Sequence, residues 1–161
     1  MEARLQAHML WLGSSGKNGS QLDLTGLNLE GADMSGRVLT LSKAAGVLLR
    51  NANLAGAQLQ AAKLEGADFR SANLTRADMR GATLDRAILI DACLDGANLG
   101  PLTLSGGAKM MRASLVRARM AGASLRQARL QGSDLSMADM TGAVEDGTNL
   151  DGAILDGARR G

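Results

Sequence analysis

Few residues of this 161-residue chain have side chains whose type and spacing could do chemistry. His8 is the only histidine and Cys93 the only cysteine, so a Ser-His-Asp or Cys-His set would have to join the N-terminal segment to a point far along the chain. Cys93 has no Cys-x-x-Cys partner and no neighbours at metal-ligand spacing. Asp33, Asp68, Asp78, Asp134 and Asp139 resemble paired catalytic carboxylates only in number. Each stands one residue before a large apolar residue, so their spacing belongs to a repeat, and side chains stacked along an outer surface are expected. Gly106-Gly107 lacks the Lys-Ser/Thr of a phosphate loop. One Trp, one Phe and no Tyr leave no aromatic platform for nucleic-acid bases. The expectation is a protein that is not an enzyme, with no catalytic set, metal, cofactor or small-molecule substrate, and with nucleic acid not expected as a partner.

The elements that position these residues are written in the repeat itself. From 52 to 99 a five-residue phrase occurs ten times, as in Ala-Asn-Leu-Ala-Gly at 52–56 and Ala-Asp-Phe-Arg-Ser at 67–71. The large apolar residue of each phrase, its centre, falls every five residues from Leu24 to Leu104. A one-residue insertion within 105–109 then shifts the phase, and centres resume at Met110 and run to Leu155. A period of five fits neither the 3.6 of an α-helix nor an uninterrupted alternation of two. It fits a short extended piece plus a turn, with Ala and the centre both facing inward. Of the 21 glycines, 15 lie two residues after a centre, where a corner needs an unusual backbone angle. A chain that turns in one sense every five residues must coil, and successive coils can satisfy each other's backbone as a parallel β-stack.

The pattern Ala-(Asp/Asn)-Leu-x-x over residues 22–158 resembles the pentapeptide-repeat family. That resemblance implies an all-β fold, a right-handed quadrilateral parallel β-helix with four pentapeptides per coil. Four sides would give about seven coils and a rod roughly 30 Å long. Residues 1–20 form a capping segment in this reading, with the repeat domain at 21–161. Leu5, Met9 and Leu12 share a face of a short capping α-helix that Gly13 ends, and His8 is expected to serve that cap structurally.

The repeat breaks in three places. Inward positions at 37–49 hold Arg37, Ser42 and Ala44, which suggests a bulge or loop. The insertion at 105–109 suggests a β-bulge or a small loop. In the last coil Glu145 and Arg160 occupy centre positions, and a homodimer through the C-terminal coils is expected, because solenoid ends need cover.

On the outside, residues 20 apart should stack, or 21 apart across the insertion. This map collects Leu48, Ile88, Ile90, Lys109, Met111 and Arg129 on one candidate protein-contact face, where outward apolar residues are out of place. From Gly96 to Ser133 there are six basic residues and no acid, and from Asp134 to Asp156 six acids and no base. The net charge of +2 and pI of about 9.1 are mildly basic.

The leading functional expectation is a structural, protein-binding solenoid in the cytoplasm, since no apolar run approaches the roughly 20 residues that span a bilayer and no signal peptide is recognisable. Within the resembled family two alternatives stand: a DNA mimic that protects gyrase, of the fluoroquinolone-resistance type, and a secreted bacterial effector. The positive belt disfavours the first, because imitation of DNA calls for a dominantly negative surface.

Overall fold

Most pentapeptides make the same set of backbone bonds. Around Leu54, the Asn53 N–H donates to Ala32 O (2.9 Å), the Leu54 N–H to Asn73 O (2.7 Å) and the Gly56 N–H to Thr75 O (2.9 Å), while the Ala57 N–H closes the corner on Leu54 O (3.0 Å). One donor is left, the N–H of Ala55, and it goes to the Asn53 side-chain oxygen at 3.2 Å. All five N–H groups are thereby paired, as a buried backbone requires. The same side-chain bond recurs from Asp23, Asn28, Asp33, Asp68, Asn73, Asp78, Asn98, Asp134, Asp139 and Asn149. The Asp or Asn before each centre is therefore a corner clamp. Stacking along the outside, the role expected from sequence, is realised in the run Asp33, Asn53 and Asn73, where the Asn73 amide donates to Asn53 Oδ1 and the Asn53 amide to the Asp33 carboxylate, each at 3.2 Å.

The computed structural model describes residues 1–104, 106, 107 and 109–161. Parallel bridges link each face residue to the one 20 positions later, or 31 later across one long coil, and they fall into four columns. The first runs from Asp23 through Lys43, Lys63, Thr83, Ser114 and Asp134 to Ile154. The second holds Asn28, Leu48, Asp68, Ile88, Arg119 and Asp139 and ends at Arg159. The third runs from Asp33 to Val144 and the fourth from Val38 to Asn149. Four columns make a four-sided coil, and the two longest have seven rungs each, or about 29 Å at the usual strand spacing. Most contacts are single bridges. The only longer pairings among the described residues are β1 (Leu102–Thr103) with β2 (Met110–Met111), antiparallel, and β3 (Asp139–Met140) with β4 (Arg159–Arg160), parallel.

The core is a narrow column of Leu, Met and Ala with one aromatic side chain, Phe69, fully buried. At the N-terminal end the helix α1 (Glu2–Gly13) lies over the first coil. Its buried residues are Leu5 and His8, and Met9 is half exposed, so the expected Leu5, Met9, Leu12 face is rotated to include His8. The reason is hydrogen bonding. The Leu22 N–H donates to His8 Nδ1 at 3.0 Å, and His8 Nε2 donates to Thr40 O at 2.9 Å. These two groups lie on the first coil, where no earlier coil can pair them.

Two expectations change here. Residues 37–49 form a regular coil, with Val38 bridging Gln58 and Lys43 bridging Lys63. Ser42 and Ala44 are buried inside it, Val47 fills the next flank position, and Arg37 turns outward to Glu2 of α1 (3.3 Å). The insertion is not a single residue. Thr83 bridges Ser114, and Ile88, Cys93 and Asn98 likewise bridge Arg119, Ser124 and Arg129, each 31 positions on. Eleven residues beyond a regular coil therefore leave the corner between the fourth and first faces as a hairpin carrying β1 and β2. Leu104 and Met110 are not core centres, and Met110 is 65% exposed. Ser105 and Ala108, within the expected insertion, lie outside the described residues.

Candidate contact surface

The four-column frame divides the six residues grouped from sequence. Leu48 and Ile88 share the second face with Asp68 between them, and Ile90 lies at the next corner. Lys109 and Met111 belong to the hairpin at another corner, and Arg129 stands in the fourth column between Asn98 and Asn149. The proposed single face is therefore two surfaces. Its premise, a 21-residue offset across the insertion, fails because the offset is 31.

On the second face the half-buried Leu48 and Ile88 flank a carboxylate that is itself buried, with Asp68 at 3% exposure. Arg70 binds it through Nη2 (2.6 Å) and Nε (3.0 Å), and Arg50 Nε reaches the same group from the preceding coil (2.7 Å). These guanidinium groups, Arg70 first, hold the Asp68 carboxyl well below the usual carboxylate range despite burial. Sequence reading took Asp68 for one outward aspartate among many. The signal that sets it apart is an arginine two residues after it and another 18 before it, which falls at the same corner one coil away.

The hairpin is anchored by Leu102 and Met111, whose Cβ atoms would lie 3.1 and 3.2 Å from a Cβ placed on Gly81. Only a glycine at that corner lets them pack so close. Beyond this anchor, Lys109, Met110 and Arg112 are exposed.

Cys93 sits on the third face, half-buried, with its sulfur 3.4 Å from the Thr75 hydroxyl. His8 is fully buried and stacks on Trp11 with ring centroids 5.8 Å apart, and burial lowers its pKa. In the last coil Glu145 and Arg160, which stand where apolar centres are expected, pair with each other across the coil.

Two shallow clefts follow the corners. One of about 600 Å³ between the first and second faces mixes Glu65 and Asp85 with Arg86 and Arg117. The other, about 560 Å³ and located where the third face meets the fourth, is lined by Arg76, Arg129 and side-chain amides. Sequence reasoning missed the second cleft, because Arg76 and Arg129 meet only when the long coil is counted correctly.

Comparison with known proteins agrees with this geometry. The family model for pentapeptide repeats matches in eight copies over residues 38–70, 62–100 and 108–144. Among solved structures the chain is similar to HetL, a pentapeptide repeat protein involved in heterocyst differentiation regulation from the cyanobacterium Nostoc. The identity is 32% and the TM-score 0.54, with 86% of this chain and 66% of HetL covered. The chain thus spans just under two thirds of HetL. It is also similar to a pentapeptide repeat protein from the Arabidopsis thaliana thylakoid lumen, at 30% identity, covering 73% and 71% of the two chains with a TM-score of 0.49. Full-length QnrB1, a plasmid-mediated fluoroquinolone resistance protein, matches at 16% identity over 88% and 92% with a TM-score of 0.34, too low to carry an argument. No curated protein sequence matches. With its five-residue period, and with corner clamps and a four-column ladder running through the matched segments, the chain belongs to the pentapeptide-repeat family.

Proposed function

We propose that this protein is a non-enzymatic rod that binds a protein partner where its repeat is decorated or interrupted. The observation that carries this reading is the hairpin between the fourth and first faces. Its eleven additional residues supply no rung to the ladder, yet it is packed firmly on Gly81 and presents exposed Met110 beside Lys109 and Arg112. An exposed apolar side chain on an anchored excursion from a rigid scaffold is the arrangement binding loops use. The apolar pair Leu48 and Ile88, with Ile90 at the neighbouring corner, offers a second, separate contact surface. HetL is involved in heterocyst differentiation regulation, and a regulatory binding role here is in keeping with that likeness.

The test compares partner capture by the wild type, Met110→Asp and Ile90→Arg, with circular dichroism to show that each variant keeps its coil. Loss of a partner in either variant supports the reading, and capture unchanged in both sinks it.

The DNA-mimic alternative is weaker. Lys109, Arg112, Arg117, Arg119, Arg126 and Arg129 are all exposed and place positive charge around the middle of the rod. A gyrase supercoiling assay showing neither inhibition nor quinolone protection removes that alternative.

A further inference from the structure

We infer that the cleft where the third face meets the fourth is a docking site for an acidic, carboxylate-bearing segment of a partner protein, an inference that rests on the protein-binding reading above. Four successive coils build it. Arg76 takes a left-handed corner conformation (φ 56°), and its Cγ lies 3.3 Å from where a Cβ on Gly96 would be. The arginine stem can therefore drape over Gly96 toward the coil below. In that coil Gln127 (φ 56°) does the same over Gly147, where its amide fills the space a Cβ would need. Arg129 stands beside it in the fourth column, above Asn149. The side chains of Arg76, Gln127, Arg129, Gln131 and Asn149 line one open cleft of about 560 Å³, and no carboxylate is in the lining.

Charge decides what such a cleft takes. Among the described residues neither Arg76 nor Arg129 makes an ion pair, whereas Asp95 and Asp146 at the neighbouring corners are engaged. Asp95 accepts the Ser124 hydroxyl and the Arg126 N–H, and Asp146 lies 3.7 Å from Arg126. Two guanidinium groups on one cleft repel, and a carboxylate between them would accept paired charge-assisted hydrogen bonds. The amides add a requirement. Those of Gln127 and Asn149 line the cleft and carry an acceptor oxygen beside their donors, so the ligand should bring N–H groups as well as negative charge. A peptide has both, whereas a phosphodiester offers acceptors alone and inorganic phosphate has no N–H. A nucleic-acid strand would in addition meet Asp95 and Asp146 at the neighbouring corner residues, and these would repel its backbone.

The test is an amide NMR titration of the ¹⁵N-labelled protein with acetyl-Glu-Gly-Glu-amide, with acetyl-Gln-Gly-Gln-amide and inorganic phosphate as comparisons. The expected result is saturable shifts of the Gln127, Gln131 and Asn149 side-chain amides and of Gly96 and Gly147. Binding should weaken at least fivefold for the glutamine peptide and at least tenfold in the Arg76→Gln/Arg129→Gln double variant, whose own spectrum shows whether the coil is intact. Equal shifts with both peptides, no shift at these amides, or phosphate binding as tightly as the acidic peptide would each overturn the assignment. A partner captured equally by wild type and double variant, with no peptide shift, sinks the cleft and leaves the rod reading standing. Peptide shifts in a protein that captures no partner support the cleft and sink the rod reading.

Discussion

Asp85 reaches across one coil to Ser114, 29 residues later, and its Oδ1 accepts both the Ser114 hydroxyl and, at 3.1 Å, the N–H of Val116. Serine before a centre is too short to make the corner clamp that Asp or Asn makes elsewhere, so a carboxylate from the preceding coil takes over the orphaned donor. Asp95 repeats the device with Ser124 (2.6 Å) and Arg126 (3.1 Å). The expected consequence is coupling. Asp85→Ala should cost about 1–3 kcal/mol by leaving a donor unpaired, and clearly less in a Ser114→Asn background, where the asparagine clamps its own corner. A double-mutant cycle in urea measures it, and additive costs would show that the two residues act independently.

His8 makes the N-terminal cap sensitive to acid. Its neutral Nδ1 accepts the Leu22 N–H, and burial lowers its pKa from 6.5. A depressed histidine pKa means that the folded state binds the proton less readily than the unfolded chain. The contribution of His8 is therefore complete above pH 6.5 and is lost as pH falls through the folded value. Fluorescence of Trp11, the sole tryptophan and the stacking partner of His8, should report loosening of α1 below pH 6.5. In His8→Ala that transition should vanish, at a cost of about 1–3 kcal/mol for each backbone group left unpaired.

Asp68 gives the opposite window. Its carboxyl is held below 3.8 by Arg70 and Arg50, so the stability it contributes is complete above that value and is lost as pH falls below it. Asp68→Asn should destabilise the coil by about 1.5–3 kcal/mol at neutral pH, the range for hydrogen bonds to charged groups. The deficit should narrow in acid. Urea melts at pH 7 and pH 3 check both statements, and a gap that stays constant would refute the assignment.

The hairpin is separable from the scaffold. Replacing residues 100–112 by a two-residue corner, Asp-Gly, restores the 20-residue coil, because the rungs Asn98 and Ser114 then lie where a regular repeat puts them. The thermal midpoint should hold or rise, since a long loop-closure cost is removed. Partner capture through Met110 should disappear, and a midpoint depressed by more than a few degrees would show that the hairpin is part of the fold's stability.

Much of this fold was legible in the residues themselves. A period of five with small residues flanking a large one determines which side chains face inward, and left-handed corners explain the glycines. Asp68 and Asp78, alike in the repeat, already mark the clamped position. The length of the interruption was not legible. Eleven extra residues exceed two periods by one, so Leu104 and Met110 continue the apolar rhythm almost in phase and mimic core centres. Only hydrogen-bond pairing distinguishes a rung from a hairpin strand, and pairing is a tertiary property. The same holds for Arg76 and Arg129, whose meeting depends on the long coil, and for His8, whose partners are backbone groups on the first coil. The sequence alone thus determined the family and the inward and outward alternation, because these follow from local spacing. Which outward residues share a surface was decided by the tertiary structure, because one miscounted coil moves every later side chain to a different neighbour.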